Sequence, residues 1–177
     1  MACSQTLSGL TQDCASSMGG IVEVYLANAA DVTAVTLTDG KVSGITMDTS
    51  KKFKKYEFTR NTGSLSSNYT VDNTTGAKFV TSALLMVFNK MDTTKRIEIT
   101  AMAQGELVAM VKDANGLYWY LGFDAPLHIS AGDGLTGTAR ADRNGYSVTL
   151  QDESLEMPHE INVGTSTGQV NLSDIVS

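Results

Sequence analysis

The most constraining stretch is residues 78–88, Lys-Phe-Val-Thr-Ser-Ala-Leu-Leu-Met-Val-Phe. As a strand it places Phe79, Thr81, Ala83, Leu85 and Val87 on one side and Val80, Ser82, Leu84, Met86 and Phe88 on the other. Both sides are largely apolar, so both need cover. Such a strand is central in a sandwich or buried at a subunit interface. Two further apolar runs follow, residues 106–112 and 117–122, joined by Asp113-Ala114-Asn115-Gly116. Asn-Gly between strand-like runs is a strong hairpin signal. The second run carries the single tryptophan, Trp119. Residues 78–122 are therefore the centre of a mainly β domain.

The rest of the chain fits that class. It has 177 residues, enough for one domain with a sizeable core. Only 18% of residues are charged and only two are proline, while Thr, Ser, Gly and Asn fill the polar positions. Residues 1–20 read as a polar N-terminal arm, 21–160 as a single β domain, and 161–177 as a C-terminal strand or arm. Residues 21–26, 32–37 and 41–47 have the Val/Ile/Thr content of strands. Residues 52–60 read as a long strand, with Phe53 and Tyr56 out of strict alternation, the mark of a bulge or twist. Residues 61–76 are polar and turn-rich. They suit a loop tip, or an arm ordered against a partner, at the end of a ribbon formed by 52–60 and 78–88. For 92–104 the residues alone leave two readings open. Asp92 or Thr93 caps a helix that Gly105 ends, with Thr94, Ile97 and Ala101 on one face; alternatively, 96–100 alternate as a strand. Residues 146–150 form a clean strand and 151–160 a polar link.

The net charge of −6 and the lack of a long basic run exclude duplex binding by phosphate neutralisation. The one positive patch, Lys51-Lys52-Phe53-Lys54-Lys55, reads as a solvated strand end. Cys3 and Cys14 are too few for a disulfide scaffold and read as free thiols. No signal peptide and no membrane span is expected. His128 and His159 stand alone, and no His-x-x-x-His or Cys-x-x-Cys occurs. Residues 130–138 are glycine-rich, but the spacing fits neither a P-loop nor a dinucleotide fingerprint. Asp133, between glycines, reads as a turn residue. Tyr118, Trp119 and Tyr120 read as sheet packing rather than a ligand platform, because no basic groups lie among them. No catalytic, cofactor or metal set is found, and the chain is not expected to be an enzyme.

The order of these elements, over about residues 20–150, resembles the major tail tube protein of long-tailed bacteriophages. That family shares a fold with the inner-tube proteins of contractile tails and type VI-like injection systems. The resemblance implies a β-sandwich or barrel with one flanking α-helix and a long projecting β-hairpin. Here 52–88 is similar to the hairpin, 92–104 to the helix, and 107–111, 117–121 and 146–150 to sandwich strands. It implies a structural virion protein whose hexameric rings stack into a tube, their inner sheets joined into one barrel. DNA would pass through the lumen without sequence-specific binding. Implied partners are further copies of the chain and tail terminator, baseplate or tape-measure proteins, and no cofactor is implied. The implied location is the virion tail, assembled in the host bacterial cytoplasm. The expected assembly interface is Phe53, Tyr56, Phe58, Leu65, Tyr69, Val71, Phe79, Val80, Leu84, Met86 and Phe88. A head-tail connector, tail terminator or baseplate component shares the same element order. A carbohydrate- or surface-binding sandwich is the more distant alternative.

Overall fold

The structure, a computed structural model, describes residues 8–12 and 14–177. Cys3, the first seven residues of the expected arm and Asp13 lie outside the described residues.

Alternation in β1 (Ile21–Asn28) and β7 (Leu107–Asp113) sets the architecture. Val24 and Leu26 of β1, with Ala109 and Val111 of β7, point into one apolar core. Tyr25 and Ala27, with Val108 and Met110, point into a second. These two strands pair antiparallel in the middle of a sheet, so both their faces are covered. The sheet has seven strands in the order β2-β3-β11-β8-β7-β1-β4. Its other members are β2 (Val32–Thr38), β3 (Lys41–Met47), β4 (Lys54–Tyr56), β8 (Tyr118–Leu121) and β11 (His159–Ile161). The Asn115-Gly116 turn joins β7 to β8 as expected. Asp113 holds it, its Oδ1 accepting the N–H groups of Asn115 and Leu117.

A second sheet of four strands has the order β5-β6-β10-β9. It contains β5 (Ser64–Val71), β6 (Lys78–Asn89), β9 (His128–Leu135) and β10 (Gly145–Ser154). Leu84, Met86, Phe88, Val148 and Leu150 pack from this sheet against the first core. Each such side chain contributes about 1.5–3 kcal/mol by leaving water. The fold is thus mainly β, with two facing sheets and a short flanking helix.

That helix, α1, spans Thr93–Gln104. Asp92 caps it by accepting the Lys95 N–H at 2.8 Å, and Gly105 ends it. The helix resolves the 96–100 alternation, since Ile99 and Met102 meet the first core one turn apart. Thr94, Ile97 and Ala101 share the opposite, exposed face. Tyr56 anchors the helix laterally, its hydroxyl donating to Glu98 Oε1 at 2.5 Å.

The expected ribbon is also corrected. The partner of β6 is β5, not residues 52–60. Residues 52–60 contribute only the three-residue β4, which pairs with β1 in the other sheet. Phe53 and Tyr56 have opposite parity, and they serve opposite cores: Phe53 the second, Tyr56 the first. The polar 61–76 stretch is a strand and a structured turn within the single chain. Asp72 Oδ1 accepts the N–H of Thr74 at 2.7 Å, and the Gly76 N–H reaches Asp72 O. The hairpin extends past the last β10 pairing, Ser154 with Val80, by only two residues per strand plus the turn. The presumed link after residue 150 is ladder too, with Gln151, Asp152 and Glu153 paired to Ala83, Ser82 and Thr81.

The C-terminal segment closes the second core. Val170 and Ile175, the latter on the short helix α2 (Leu172–Ile175), are buried against it, and Val176 bridges to Phe53.

Candidate functional site

The four-stranded sheet covers the core with one face only. Residues opposite each other in a ladder share a face. Ser64, Ser66, Asn68 and Thr70 of β5 therefore lie on the outer face with Leu85, Ala83, Thr81 and Phe79 of β6. Ser147, Thr149, Gln151 and Glu153 of β10 join them, followed by Asp133, Ala131 and His128 of β9. None of these strand positions is Lys or Arg. Asp133 accepts from Arg143 Nη2 at 2.9 Å and from the Ser147 hydroxyl. The face is thus hydroxyl- and amide-rich, crossed by a half-buried apolar stripe at Phe79, Ala83 and Leu85.

The edges of the two sheets differ. In the seven-stranded sheet, β4 is three residues long and carries Lys54 and Lys55. Lys55 is tied to Glu23 Oε1 at 2.8 Å, which holds the Glu23 carboxyl below its usual range. At the other edge, β2 is interrupted by two register shifts. Short length, lysines and bulges all block edge pairing. In the four-stranded sheet both edges are eight residues long. The β5 edge has no charged residue and no proline; β9 has one carboxylate, already paired, and carries a register shift at Ser130, with α1 packed close to it. Among the described residues, neither β5 nor β9 has a second neighbour.

The expected interface residues divide by burial. Phe53, Val80, Leu84, Met86 and Phe88 are core residues. Their apolarity is used inside the chain, which withdraws them from any contact made by this fold. Tyr56, Phe58 and Leu65 pack against the first core while keeping some exposure, and Phe79 lies half-buried on the outer face. Tyr69 and Val71 are 55% and 52% exposed, near the hairpin turn. Outer-face Ser64, Ser66, Asn68 and Thr70 escaped sequence reasoning, although their alternation with Leu65, Tyr69 and Val71 marks a two-faced strand. The β9 edge had no such signal, because Gly132 and Gly134 hide its period.

Two internal features border this sheet. Asp152 of β10 is 2% exposed and sits beside the fully buried Ser82. Its Oδ2 accepts the Gly122 N–H at 3.2 Å, and its Oδ1 has no partner. Burial pushes its carboxyl above the ordinary aspartate range, against the opposing pull of the Gly122 N–H. Secondly, a groove of about 390 Å³ opens between the sheets where β1 begins. It is lined by apolar Ile21, Leu65, Trp119, Met157 and Pro158 and by polar Ser64, Ser67 and Asn115.

Among the described residues no group of three or more potential ligands gathers into a metal site, and no helix is long and apolar enough to cross a membrane. Comparisons with protein-family models, curated proteins and solved structures found no match.

Proposed function

We propose that this chain is a self-assembling structural subunit, the tail tube protein of a long-tailed bacteriophage, whose rings stack around a channel for genome delivery. The observation that carries the reading is the pair of long edges on the four-stranded sheet, an uncharged β5 and a β9 broken by a single register shift. Its strands are antiparallel throughout and even in number, so β5 and β9 run in opposite directions. Rotation about a ring axis brings β9 of one copy beside β5 of the next in the same antiparallel sense. Pairing there satisfies the free backbone groups and removes both edges at once. Closed rotational symmetry turns that contact into a ring, and head-to-tail stacking of rings makes a tube.

The seven-stranded sheet covers one face, so closure turns the other face toward the lumen. A wall of hydroxyl and amide side chains, crossed by the Phe79, Ala83 and Leu85 stripe and carrying the Asp133 and Glu153 carboxylates, has no strand lysines or arginines to grip phosphates, so DNA slides past it. The resemblance to tail tube proteins supplies the copy number of six and the implied partners. The test is electron microscopy of the purified protein over a range of concentration. Hollow tubes of stacked six-fold rings are expected. Isolated rings would favour a connector, terminator or baseplate role, and a persistent monomer would overturn the reading.

A further inference from the structure

Asparagine is followed by glycine at two places in the chain, Asn115-Gly116 and Asn144-Gly145. Such a pair is chemically labile, because glycine has no side chain to shield its backbone nitrogen from the asparagine Cγ and turns freely. The fold treats the two pairs differently. Asn115 and Gly116 are both exposed at the turn between β7 and β8. Gly116 has a φ of 89°, and a Cβ there would meet nothing within 4 Å. Gly145 is buried between β6 and β9, opposite Asn89 on one side and Leu135 on the other. Asn144 is fixed to the segment before α1: its carbonyl accepts the Lys90 N–H at 2.7 Å and its Oδ1 accepts the Met91 N–H at 2.9 Å.

We propose that Asn115 is a site of spontaneous deamidation, restrained by Met18 and converted to aspartate and isoaspartate when that restraint opens. The restraint is a clasp: Asn115 Oδ1 accepts the Met18 N–H at 2.8 Å and its Nδ2 donates to Met18 O at 3.1 Å. Met18 is 64% exposed and is followed by Gly19 and Gly20, so the clasp opens by local fraying without unfolding a sheet. The Gly116 nitrogen, freed from its 3.1 Å bond to Asp113 O, then attacks Asn115 Cγ. The new N–Cγ bond closes a succinimide, the amide proton passes to solvent, and the Cγ–Nδ2 bond breaks with release of ammonia. Water opens the ring. Cleavage at Cγ gives aspartate, and cleavage at the main-chain carbonyl gives isoaspartate. The aspartate has lost the Nδ2 donor, so a carboxylate oxygen faces Met18 O. It also stands two residues from the Asp113 carboxylate that holds the turn. Isoaspartate lengthens the main chain inside the loop that the Asp113 N–H closes on Leu117 O at 2.9 Å. Both products weaken the tie between the N-terminal segment and the hairpin. The inference stands apart from self-assembly and holds for the single chain.

The test is incubation of the full chain at mildly alkaline pH, folded and in urea, followed by peptide mapping that separates asparagine, aspartate and isoaspartate peptides. In the folded chain, acid should accumulate at 115 at least about tenfold faster than at 144, because reaction at 144 needs a costlier opening. In urea the two rates should converge. Equal rates in the folded chain, a faster rate at 144, or intact Asn115 after the urea sample has reacted would each overturn the proposal. Met18→Pro removes the N–H half of the clasp and should speed acid formation at 115 while leaving 144 unchanged. An unchanged rate at 115 would overturn the restraining role of Met18.

Discussion

Asp152 and Gly122 tie the two sheets together through one hydrogen bond, from the Gly122 N–H to the Asp152 carboxylate at 3.2 Å. The acid belongs to β10 and the glycine follows β8, so the bond crosses the sandwich. It is made by a buried group whose other oxygen is unpartnered. Burial raises the folded-state pKa above the unfolded value. The associated stabilisation is therefore fully present below the unfolded pKa, about 3.9, and is lost as pH rises through the folded pKa. Asp152→Asn keeps an acceptor for Gly122 and removes the titration. The variant should be more stable than the parent at pH 7, by on the order of 1–2 kcal/mol, with a flatter slope above pH 4. Urea unfolding between pH 4 and 8 checks this, and an unchanged slope would refute it.

The two faces of β6 predict opposite outcomes for adjacent leucines. Leu84 is fully buried in the first core, and Leu85 lies half-buried on the outer face. Leu84→Ala should cost about 2–5 kcal/mol. Leu85→Thr should cost less than about 1 kcal/mol in the single chain. Comparable losses at both positions in denaturant unfolding would contradict the face assignment.

A glycine at the start of β10 is fixed by close approach. A Cβ on Gly145 would lie 2.0 Å from the Phe88 carbonyl oxygen, and backbone cannot swing aside as a flexible side chain can. Gly145→Ala should destabilise by about 3 kcal/mol, lowering the melting temperature by roughly 6–12 °C. A shift within 2 °C would show that β6 and β10 are more loosely joined than this geometry requires.

Edge pairing predicts a separation of stability from assembly. Ser66 and Asn68 lie on the outer face of the β5 edge. The double variant Ser66→Lys/Asn68→Lys should change single-chain stability by less than about 0.5 kcal/mol per site. It should nevertheless block ring formation, because lysines on an edge oppose pairing with another strand. Sedimentation velocity reads the second effect, and wild-type assembly by this variant would count against the β5 edge.

Much of the sandwich was legible because its strongest signals are local. The Asn115-Gly116 turn dictates its hairpin, and Asp92 with Gly105 bounds α1 whichever way 96–100 alternates. The non-local facts were not legible. Apolarity on both faces singled out β6, but the strands buried on both faces are β1 and β7. The outer side of β6 is only partly covered by its own chain. Residues 52–60 looked like its partner by length and aromatic content. The partner is β5, because Leu65 and Ser67 keep phase with the inward side of β6 while Phe53 is drawn to the second core. Asp152 was read as part of a polar link, since nothing in a run of Gln-Asp-Glu announces that one carboxylate lies between two sheets. The open edges are a property of strand order, which depends on pairings more than 50 residues apart, such as Gly145 with Asn89.

Amide hydrogen exchange on assembled and unassembled protein reads out whether copies join through β5 and β9. Amides within Ser64–Val71 and His128–Leu135 should gain protection on assembly, while β2 and β4, at the edges of the other sheet, exchange as they do in the single chain. Protection gained at β2 or β4 with β5 and β9 unchanged would contradict it.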